Sequence, residues 1–375
     1  MGGVSMETYK LSDLCEILDA KRKPLSALQR AKKQGIYPYY GAQGIIDHLD
    51  EYLLDGEYLL VAEDGANLET RNQPIANIAK GKIWVNNHAH VLGSNGKCPL
   101  NLLGFILNNM NISPYVTGCA QPKLNQENLR NIEIELPSHI DSIASILSSL
   151  DRKIELNNKI NADLEEMAQA IFKNWFVDFE PFKDGKFVDS ELGMIPEGWK
   201  VGSLGDFCNV FTGRKNTNQA IEKGLYPFFS CAPEPLASNE AIFNGKAIII
   251  AGNGSYTGRT SFYNGGFDLY QRTYACTIRE RDKENLMIFF YHMMKQFFEP
   301  VKMGGTRGSS IPYIVMGDIT QQKFPYSEDW LLRFSNIANS MMDKKLRIDK
   351  ENSRLSLLRD TLLPRLMSGE LEIPE

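Results

Sequence analysis

Two long stretches of the chain carry apolar residues at alternating spacings of three and four positions, as amphipathic helices do. The first stretch runs through Leu147, Leu150, Ile154, Asn157, Asn161, Leu164, Ala168 and Ile171. The second runs through Phe334, Ile337, Met341, Lys344, Ile348, Glu351, Leu355, Leu358 and Leu362. Each follows a proline, Pro137 or Pro325, and then a serine with nearby acidic residues, a signal for a helix start. The pattern predicts two helices of about 35 residues, each roughly 50 Å long.

Polar residues occupy the middle of these apolar stripes. Asn157 and Asn161 are typical of a coiled-coil seam, where a buried polar residue fixes the register at some cost in stability. A single amphipathic stripe most often packs against its own domain. Two matching stripes favour an antiparallel pairing of the two helices with each other, as a rigid spacer. The pattern alone leaves both arrangements open.

About 130 residues precede each predicted helix, and both regions alternate short β-type runs with Gly and Asn turns. Residues 58–62, 247–251 and 274–278 predict strands, whereas residues 100–108 and 285–298 predict helices. The aromatic residues expected in the core are Tyr39, Tyr40, Phe228 and Phe229. We therefore predict an α/β (α+β) fold for each region.

The two regions match each other in the same order, at offsets of 189 to 193 positions. Leu11-Ser12-Asp13-Leu14-Cys15 corresponds to Leu204-Gly205-Asp206-Phe207-Cys208. The remaining pairs are residues 35–40 with 224–229, residues 60–65 with 249–254, and residues 121–124 with 311–314. Similarity at a fixed separation indicates a duplicated unit, so we expect an internal repeat with pseudo-twofold symmetry.

Three segments of the predicted helices and of the stretch that joins the two halves are distinctive. They read MAQAIFKNWFVDFEPF at 167–182, DSELGMIPEGWK at 189–200 and LLPRLMSGEL at 362–371. Together with the duplicated order of domain and helix, they closely resemble the specificity (S) subunit of type I restriction-modification systems. The resemblance covers essentially the whole chain. It implies two similar target recognition domains, each reading one half of a split DNA sequence, separated by an antiparallel coiled coil of the two long helices.

The resemblance also implies a domain plan. We expect target recognition domain 1 at 1–137, the first spacer helix at 138–180, a linker at 181–198, target recognition domain 2 at 199–326, and the second helix with the C-terminal tail at 327–375. The family member would be a non-catalytic subunit with no cofactor of its own. Its implied partners are double-stranded DNA, two modification subunits that use S-adenosylmethionine to methylate adenine, and restriction subunits that use ATP and Mg to translocate and cleave.

Composition favours a soluble cytoplasmic protein. Mean hydropathy is −0.29, no apolar run approaches the roughly 18 residues that span a membrane, and residues 1–7 lack the features of a secretory signal. The six cysteines include no C-x-x-C pair, which favours buried thiols over a zinc ribbon or a disulfide framework.

Motifs for catalysis are not evident in the sequence. It contains neither the Asn-Pro-Pro-aromatic tetrapeptide of adenine methyltransferases nor a G-x-x-x-x-G-K-[ST] phosphate-binding loop. His88 and His90 would place both imidazoles on one face of a strand, an arrangement that suits metal ligands. No third ligand is close in sequence, so we predict no metal site. Two alternatives stay open: a self-sufficient DNA-modifying enzyme with an unrecognised site, and an interaction scaffold that does not bind DNA.

Loops rich in cationic and amide side chains occur at corresponding places in both halves. Such residues suit DNA, because Arg, Asn and Gln read base edges while Lys anchors phosphates. The candidates in the first half are Lys21, Arg22, Lys23, Gln43, Arg71, Asn87 and Lys123. Those in the second half are Arg214, Lys215, Tyr256, Arg259, Arg272, Arg307 and Ser309. The loops at Gly65 and Gly254, each after a predicted strand, are the favoured contact sites.

Charge and aromatic content bear on the partners. The 41 basic and 46 acidic residues give a net charge of −5, which predicts weak DNA binding by the chain alone because non-specific affinity grows with the number of neutralised phosphates. The candidate docking surface for the modification subunits comprises Trp175, Phe176, Phe179 and Phe182. The alternative is that these aromatic residues pack onto the chain's own recognition domain.

Overall fold

The computed structural model describes residues 6–118, 121–137, 140–298 and 313–371. The chain divides into two compact units. Unit 1 comprises residues 1–156 and 351–375, and unit 2 comprises residues 157–350. Both long helices therefore contribute one part to each unit.

Unit 1 contains a mixed sheet, a two-stranded ribbon and the N-terminal part of the first long helix. Its elements are β1 (Met6–Lys10), α1 (Leu11–Leu14), β2 (Cys15–Ile17), α2 (Ala27–Ala31), β3 (Gln34–Gly41), β4 (Gly44–Leu49), β5 (Leu54–Ala62), α3 (Asn67–Thr70), β6 (Ala76–Val85), β7 (Ala89–Ser94), α4 (Leu100–Asn109), α5 (Gln126–Arg130), β8 (Glu133–Pro137) and the start of α6 (Ile140–Phe176).

Unit 2 contains the same kinds of element, with an additional hairpin before its first ribbon strand. The elements after α6 are β9 (Phe187–Ser190), β10 (Gly193–Pro196), β11 (Lys200–Ser203), α7 (Leu204–Phe207), β12 (Cys208–Thr212), β13 (Tyr226–Phe229), β14 (Leu236–Ser238), β15 (Phe243–Ala251), β16 (Thr260–Leu269), β17 (Thr273–Ile278), α8 (Met287–Phe298), α9 (Met316–Thr320), β18 (Lys323–Tyr326) and α10 (Glu328–Met367).

The six-stranded sheets of the two units have the same topology. The strand order is β2-β7-β5-β6-β3-β4 in unit 1 and β12-β17-β15-β16-β13-β14 in unit 2. Neighbouring strands are antiparallel except for one parallel pair in each sheet, β3 with β6 and β13 with β16. A separate antiparallel ribbon pairs β1 with β8 in unit 1 and β11 with β18 in unit 2.

A central strand and one helix form the core of each unit. The end of β5 and the end of β15 are buried on both faces, which explains why these strands read as continuous apolar runs rather than alternating ones. In unit 1, Leu59 is fully buried in the same apolar cluster as Leu103 of α4. In unit 2, Ile248 is buried in one cluster with Phe289 of α8.

Most predicted elements of the two regions are confirmed. Strands β5, β15 and β17 include the predicted runs, and α4 and α8 include most of the predicted helical residues. Tyr39 and Phe228 are 1% exposed, as expected of core residues. Four of the five described cysteines are buried free thiols, Cys231 is half-buried, and Cys119 lies outside the described residues. Over the described part of the chain, no helix is both long enough and apolar enough to cross a membrane.

The predicted apolar stripe is correct for α6 and wrong in part for α10. Asn157 and Asn161 of α6 are buried, as their places in the predicted stripe require. In α10, Ile337 and Leu358 are 37% and 45% exposed, and the buried positions are instead Ala338 and Met342. Phe334 is fully buried, and steps of four residues from it keep the same helix face toward the core.

Contacts join the two long helices within each unit. In unit 1, Arg359 of α10 donates to Asp151 of α6 at 2.9 Å. In unit 2, the Asn161 amide donates to Asp349 at 2.6 Å, and the Lys345 ammonium donates to Glu165 at 2.8 Å. Within unit 2, higher residue numbers in α6 thus meet lower numbers in α10.

Candidate nucleic-acid interface

Three of the predicted loops of unit 1 converge at one end of its sheet. The Leu124 N–H donates to the Glu63 carbonyl at 2.8 Å, and the Gly65 N–H donates to the Pro122 carbonyl at 3.1 Å. The turn between β6 and β7 joins them through His88 Nδ1, which lies 2.7 Å from the Asp64 carboxylate. We call the segments 63–66, 86–88 and 121–125 the loop cluster of unit 1.

The corresponding loops converge in unit 2. The Ile314 N–H donates to the Gly252 carbonyl at 2.8 Å, and the Gly252 N–H donates to the Arg272 carbonyl at 3.0 Å. Asn253 also forms an isolated bridge with Tyr313. The segments 252–259, 270–272 and 313–315 are therefore the loop cluster of unit 2. Each cluster follows the same central strand, β5 or β15.

Eight of the candidate residues are exposed. They are Lys21, Lys23, Gln43, Asn87, Lys123, Arg214, Tyr256 and Arg272. Asn87 and Lys123 belong to the loop cluster of unit 1, and Tyr256 and Arg272 to that of unit 2. Lys123 is half-exposed and its ammonium lies 3.1 Å from Glu63, which fixes its position without removing it from solvent.

Arg22 is bound within its own unit. Its guanidinium pairs with Glu63 and with Asp19, and it donates to the Ala89 carbonyl at 3.0 Å. The side chain is only 15% exposed. Burial raises the pKa of Glu63, but hydrogen bonds from Arg22 and Lys123 outweigh burial, and the pKa is lowered overall. Arg22 therefore stabilises the base of the loop cluster.

Arg71 caps a helix. One guanidinium nitrogen donates to the carbonyls of Leu107, Asn108 and Met110 at 2.8 to 2.9 Å, at the C-terminal end of α4. These carbonyls lack partners within the helix, and a cation at this end also interacts favourably with the helix dipole. Arg71 adopts a left-handed backbone conformation with φ of 54°, and burial lowers its pKa.

Two candidates of unit 2 are also engaged by neighbouring groups. The Lys215 ammonium lies 2.6 Å from the buried Asp268 carboxylate and 2.7 Å from Glu240. Arg259 donates from Nη2 to the Ala232 carbonyl, and its Nε is buried without a hydrogen-bond partner among the described residues. Burial lowers the pKa of Arg259. Arg307 and Ser309 lie outside the described residues.

His88 and His90 do not lie on one face of a strand. The prediction that their imidazoles share a face is therefore wrong. His88 lies in the turn before β7 with half of its side chain exposed, whereas His90 lies within β7 and is fully buried. The chain leaves the extended conformation at the turn, so the two-residue alternation of a strand does not apply to His88.

His90 belongs to an ion-pair network that the sequence did not indicate. Its Nδ1 lies 2.6 Å from the Asp19 carboxylate and its Nε2 lies 2.7 Å from the Leu124 carbonyl. Burial raises the pKa of Asp19, but the hydrogen bond and charge of His90 outweigh it, so the pKa is lowered and the group is ionised. Because the Leu124 carbonyl only accepts, Nε2 is the donor in that contact.

Asp19, Glu63 and His90 also form the one group of potential metal ligands among residues 6–118, 121–137, 140–298 and 313–371, with ligand atoms within 4.8 Å of one another. Arg22 and Lys123 lie against the two carboxylates. With two cations against the carboxylates and both ring nitrogens of His90 in contact with Asp19 and Leu124, the arrangement has the chemistry of a salt-bridge network rather than that of a metal centre.

The candidate docking aromatics form part of the core of unit 2. Phe176 is 4% exposed, and Trp175, Phe179 and Phe182 are half-buried against the same cluster. The Trp175 ring meets Trp330 at 4.8 Å, and the Phe182 ring meets Trp199 at 5.0 Å. Trp175, Phe179 and Phe182 each keep part of their side chain exposed.

Most of the chain is similar to one family of known proteins. The sequence model described as "Type I restriction modification DNA specificity domain" matches residues 3–166 and residues 196–327. The MjaIX specificity subunit of a type I restriction enzyme from Methanocaldococcus jannaschii is 29% identical over 281 residues, covering 69% of this chain and 65% of that protein. The MjaVIII specificity subunit of the same organism is 22% identical over 418 residues, covering 98% of this chain and 93% of that protein.

A solved structure shows the same fold. The crystal structure of the type I restriction-modification system S subunit from M. genitalium aligns with a TM-score of 0.56 at 15% identity, covering 100% of this chain and 98% of that chain. The two matches of the specificity domain span most of the sequence and fall on the two sheets with identical strand order. The chain therefore belongs to the family of type I restriction-modification DNA specificity proteins.

Proposed function

We propose that this chain is the DNA-recognition subunit of a type I restriction-modification complex, in which each of two domains reads one half of a bipartite site. The observation that carries the proposal is the double match of the DNA specificity domain. Each match includes a sheet of the same strand order and a loop cluster after the same central strand.

The exposed side chains of the loop clusters supply the chemistry of reading. In unit 1, Asn87 offers an amide suited to adenine and Lys123 a cation suited to phosphate. In unit 2, Arg272 offers a fork suited to guanine, and Tyr256 of the same loop cluster is 47% exposed. Arg22, Arg71 and Lys215 would act on DNA only indirectly, because their charged groups are bound within their own units.

The two long helices would act as the spacer between the half-sites, as an antiparallel coiled coil related by a pseudo-twofold axis. Support comes from the contacts between α6 and α10 within each unit and from the buried Asn157 and Asn161. Helices of 37 and 40 residues are about 55 and 60 Å long.

Methylation and cleavage would belong to other polypeptides. In this proposal the chain binds no cofactor, and modification subunits with S-adenosylmethionine and restriction subunits with ATP and Mg perform the chemistry. The exposed edges of Trp175, Phe179 and Phe182 are one surface for the modification subunits. The near-neutral chain would then gain DNA affinity from these partners.

Co-expression of the full chain with a type I modification subunit, followed by sequencing of methylated adenines, tests the proposal. We expect one bipartite motif. Asn87→Ala should relax base choice in one half of the motif and Arg272→Ala in the other half. Equal relaxation of both halves by either variant would reject the domain assignment. Methylation or cleavage by the purified chain alone, with S-adenosylmethionine, ATP and Mg, would instead support a self-sufficient enzyme.

A further inference from the structure

Corresponding strands of the two sheets each carry a hydrogen-bond donor at their second residue. This residue is His90 in β7 and Tyr274 in β17. His90 lies opposite Val61 of β5, and Tyr274 lies opposite Ile250 of β15, so both occupy the same register position next to the central strand. Histidine and tyrosine differ in chemistry, and the matched sequence blocks of the two halves do not include His90 or Tyr274.

Both donors bind the same backbone group. His90 Nε2 lies 2.7 Å from the carbonyl of Leu124, and the Tyr274 hydroxyl donates to the carbonyl of Ile314 at 3.2 Å. Leu124 and Ile314 each precede a short helix, α5 or α9, by two residues. Each also donates its own N–H to the loop that follows the central strand. Leu124 and Ile314 are thus each held through both their N–H and their carbonyl.

The held segments carry the exposed residues of the loop clusters. Lys123 directly precedes Leu124, and Tyr313, 40% exposed, directly precedes Ile314. The donors themselves face inward: His90 is fully buried and Tyr274 is half-buried. An effect of either donor on DNA must therefore pass through the position of the segment that it holds.

We propose that His90 and Tyr274 are matched positioning residues, which fix the DNA-facing segments 121–125 and 313–315 through one anchoring hydrogen bond to the carbonyl of Leu124 or Ile314. The inference rests on the proposed function of the two loop clusters. Preorganised loops discriminate better than mobile ones, because less conformational freedom is lost on binding. Each anchor serves its own half-site.

The two anchors differ in strength. The His90 contact is the shorter one, at 2.7 Å against 3.2 Å for Tyr274. The His90 ring is also held at its other nitrogen by Asp19, which pairs with Arg22 and accepts a hydrogen bond from Gln126 at 3.1 Å. Glu63 and Lys123 adjoin this network. A shorter hydrogen bond from a ring that is held at both nitrogens fixes its partner more firmly. Loss of His90 should therefore perturb its half-site more than loss of the Tyr274 hydroxyl.

The decisive variant is Tyr274→Phe, which removes one oxygen atom and keeps the ring. The assembled complex is titrated with a duplex carrying the methylated motif and with duplexes in which one half is altered. We expect discrimination in one half to fall about threefold to tenfold, the effect of one hydrogen bond, with the other half unchanged. His90→Leu should lower discrimination in the opposite half by more than about tenfold, and His90→Gln, which keeps an amide donor, should restore part of it.

The control is Tyr263→Phe, which removes a hydroxyl that donates to the Gly266 carbonyl at 3.4 Å within the hairpin of β15 and β16. It should change neither half. Hydrogen exchange of the Ile314 amide in the free full chain reports on this anchor in the absence of DNA. The exchange rate should rise in Tyr274→Phe and stay unchanged in Tyr263→Phe.

Unchanged exchange, unchanged discrimination, or equal loss in both halves would each overturn the inference. If the wild-type complex shows no bipartite site, the proposed function fails as well. If it shows one that Tyr274→Phe and His90→Leu leave intact, only the anchoring role fails.

Discussion

Glu165 is the point at which three helices of unit 2 are joined by charge. From α6, its carboxylate accepts hydrogen bonds from Lys295 of α8 and Lys345 of α10, both at 2.8 Å, and from the Tyr291 hydroxyl at 2.7 Å. The substitution Glu165→Gln keeps the side-chain volume and removes the charge. Lys295 and Lys345 would then share a partly buried site without an anion, which destabilises the folded state.

The pKa of Glu165 gives the size of the effect. Burial raises this pKa, but the hydrogen bonds from Lys295 and Lys345 outweigh burial and lower it from 4.5 to about 2. The side chain is 16% exposed, so solvent screens the interaction little. At about 1.4 kcal/mol per pKa unit, the ionised carboxylate stabilises the fold by about 3 kcal/mol. Because the folded-state pKa is the lower one, this stabilisation is complete above about pH 4.5 and is lost as the pH falls towards 2.

Urea unfolding of the full chain at neutral and acidic pH measures this contribution. We expect Glu165→Gln to lower the free energy of unfolding of unit 2 by about 3 kcal/mol at neutral pH, and the difference from wild type to shrink as the pH approaches 2. The control is Glu166→Gln, an exposed neighbour on the same helix, which should change stability by less than about 0.5 kcal/mol. Equal stability of Glu165→Gln and wild type at neutral pH, or a deficit independent of pH, would refute the reasoning.

Three further predictions follow from the contacts of the loop clusters and helices. Arg71→Ala should lower the free energy of unfolding by about 1 to 3 kcal/mol, because three carbonyls at the end of α4 lose their hydrogen-bond donor. Urea and thermal unfolding curves measure this loss, and the thermal midpoint should fall with it. Lys123→Ala should weaken DNA binding by the complex and reduce the slope of log affinity against log salt concentration by about one, with little change in the free energy of unfolding. Arg22→Ala should instead lower the free energy of unfolding. Salt titrations of DNA binding and unfolding curves distinguish the two variants. Inserting seven residues into both α6 and α10 should lengthen the spacer by about 10 Å and widen the gap of the methylated motif by about three base pairs, and an unaltered gap would contradict the spacer role.

The sequence was informative about elements and loops because local patterns determine them. The fully apolar end of β5 and its counterpart in β15 could be recognised from their composition, and the Gly-containing loops after them became the centres of the two loop clusters. Helix α6 was predicted with its buried asparagines. Helix α10 was predicted with part of its stripe out of phase, because several apolar residues around it allow more than one face.

The roles of individual cations could not be read from the sequence. Arg22 pairs with a carboxylate 41 positions away, and Lys215 with one 53 positions away, so the partner that removes each cation from the surface is fixed only by the fold. His90 had a weak signal, since a polar residue within an apolar strand must find a hydrogen-bond partner when buried. Tyr274 had no such signal, because tyrosine is common in strands.

The ribbons β1-β8 and β11-β18 have a consequence for inheritance. Met6 lies opposite Pro137, and Lys200 lies opposite Tyr326. The first and the last strand of each recognition domain are therefore paired with each other. Adjacent entry and exit points let one domain be exchanged for another with the same terminal strands, without altering the remainder of the protein. Two recombination crossovers, one in the codons of each ribbon strand, would therefore exchange one recognition domain and, under the proposed function, change one half of the DNA sequence that is read.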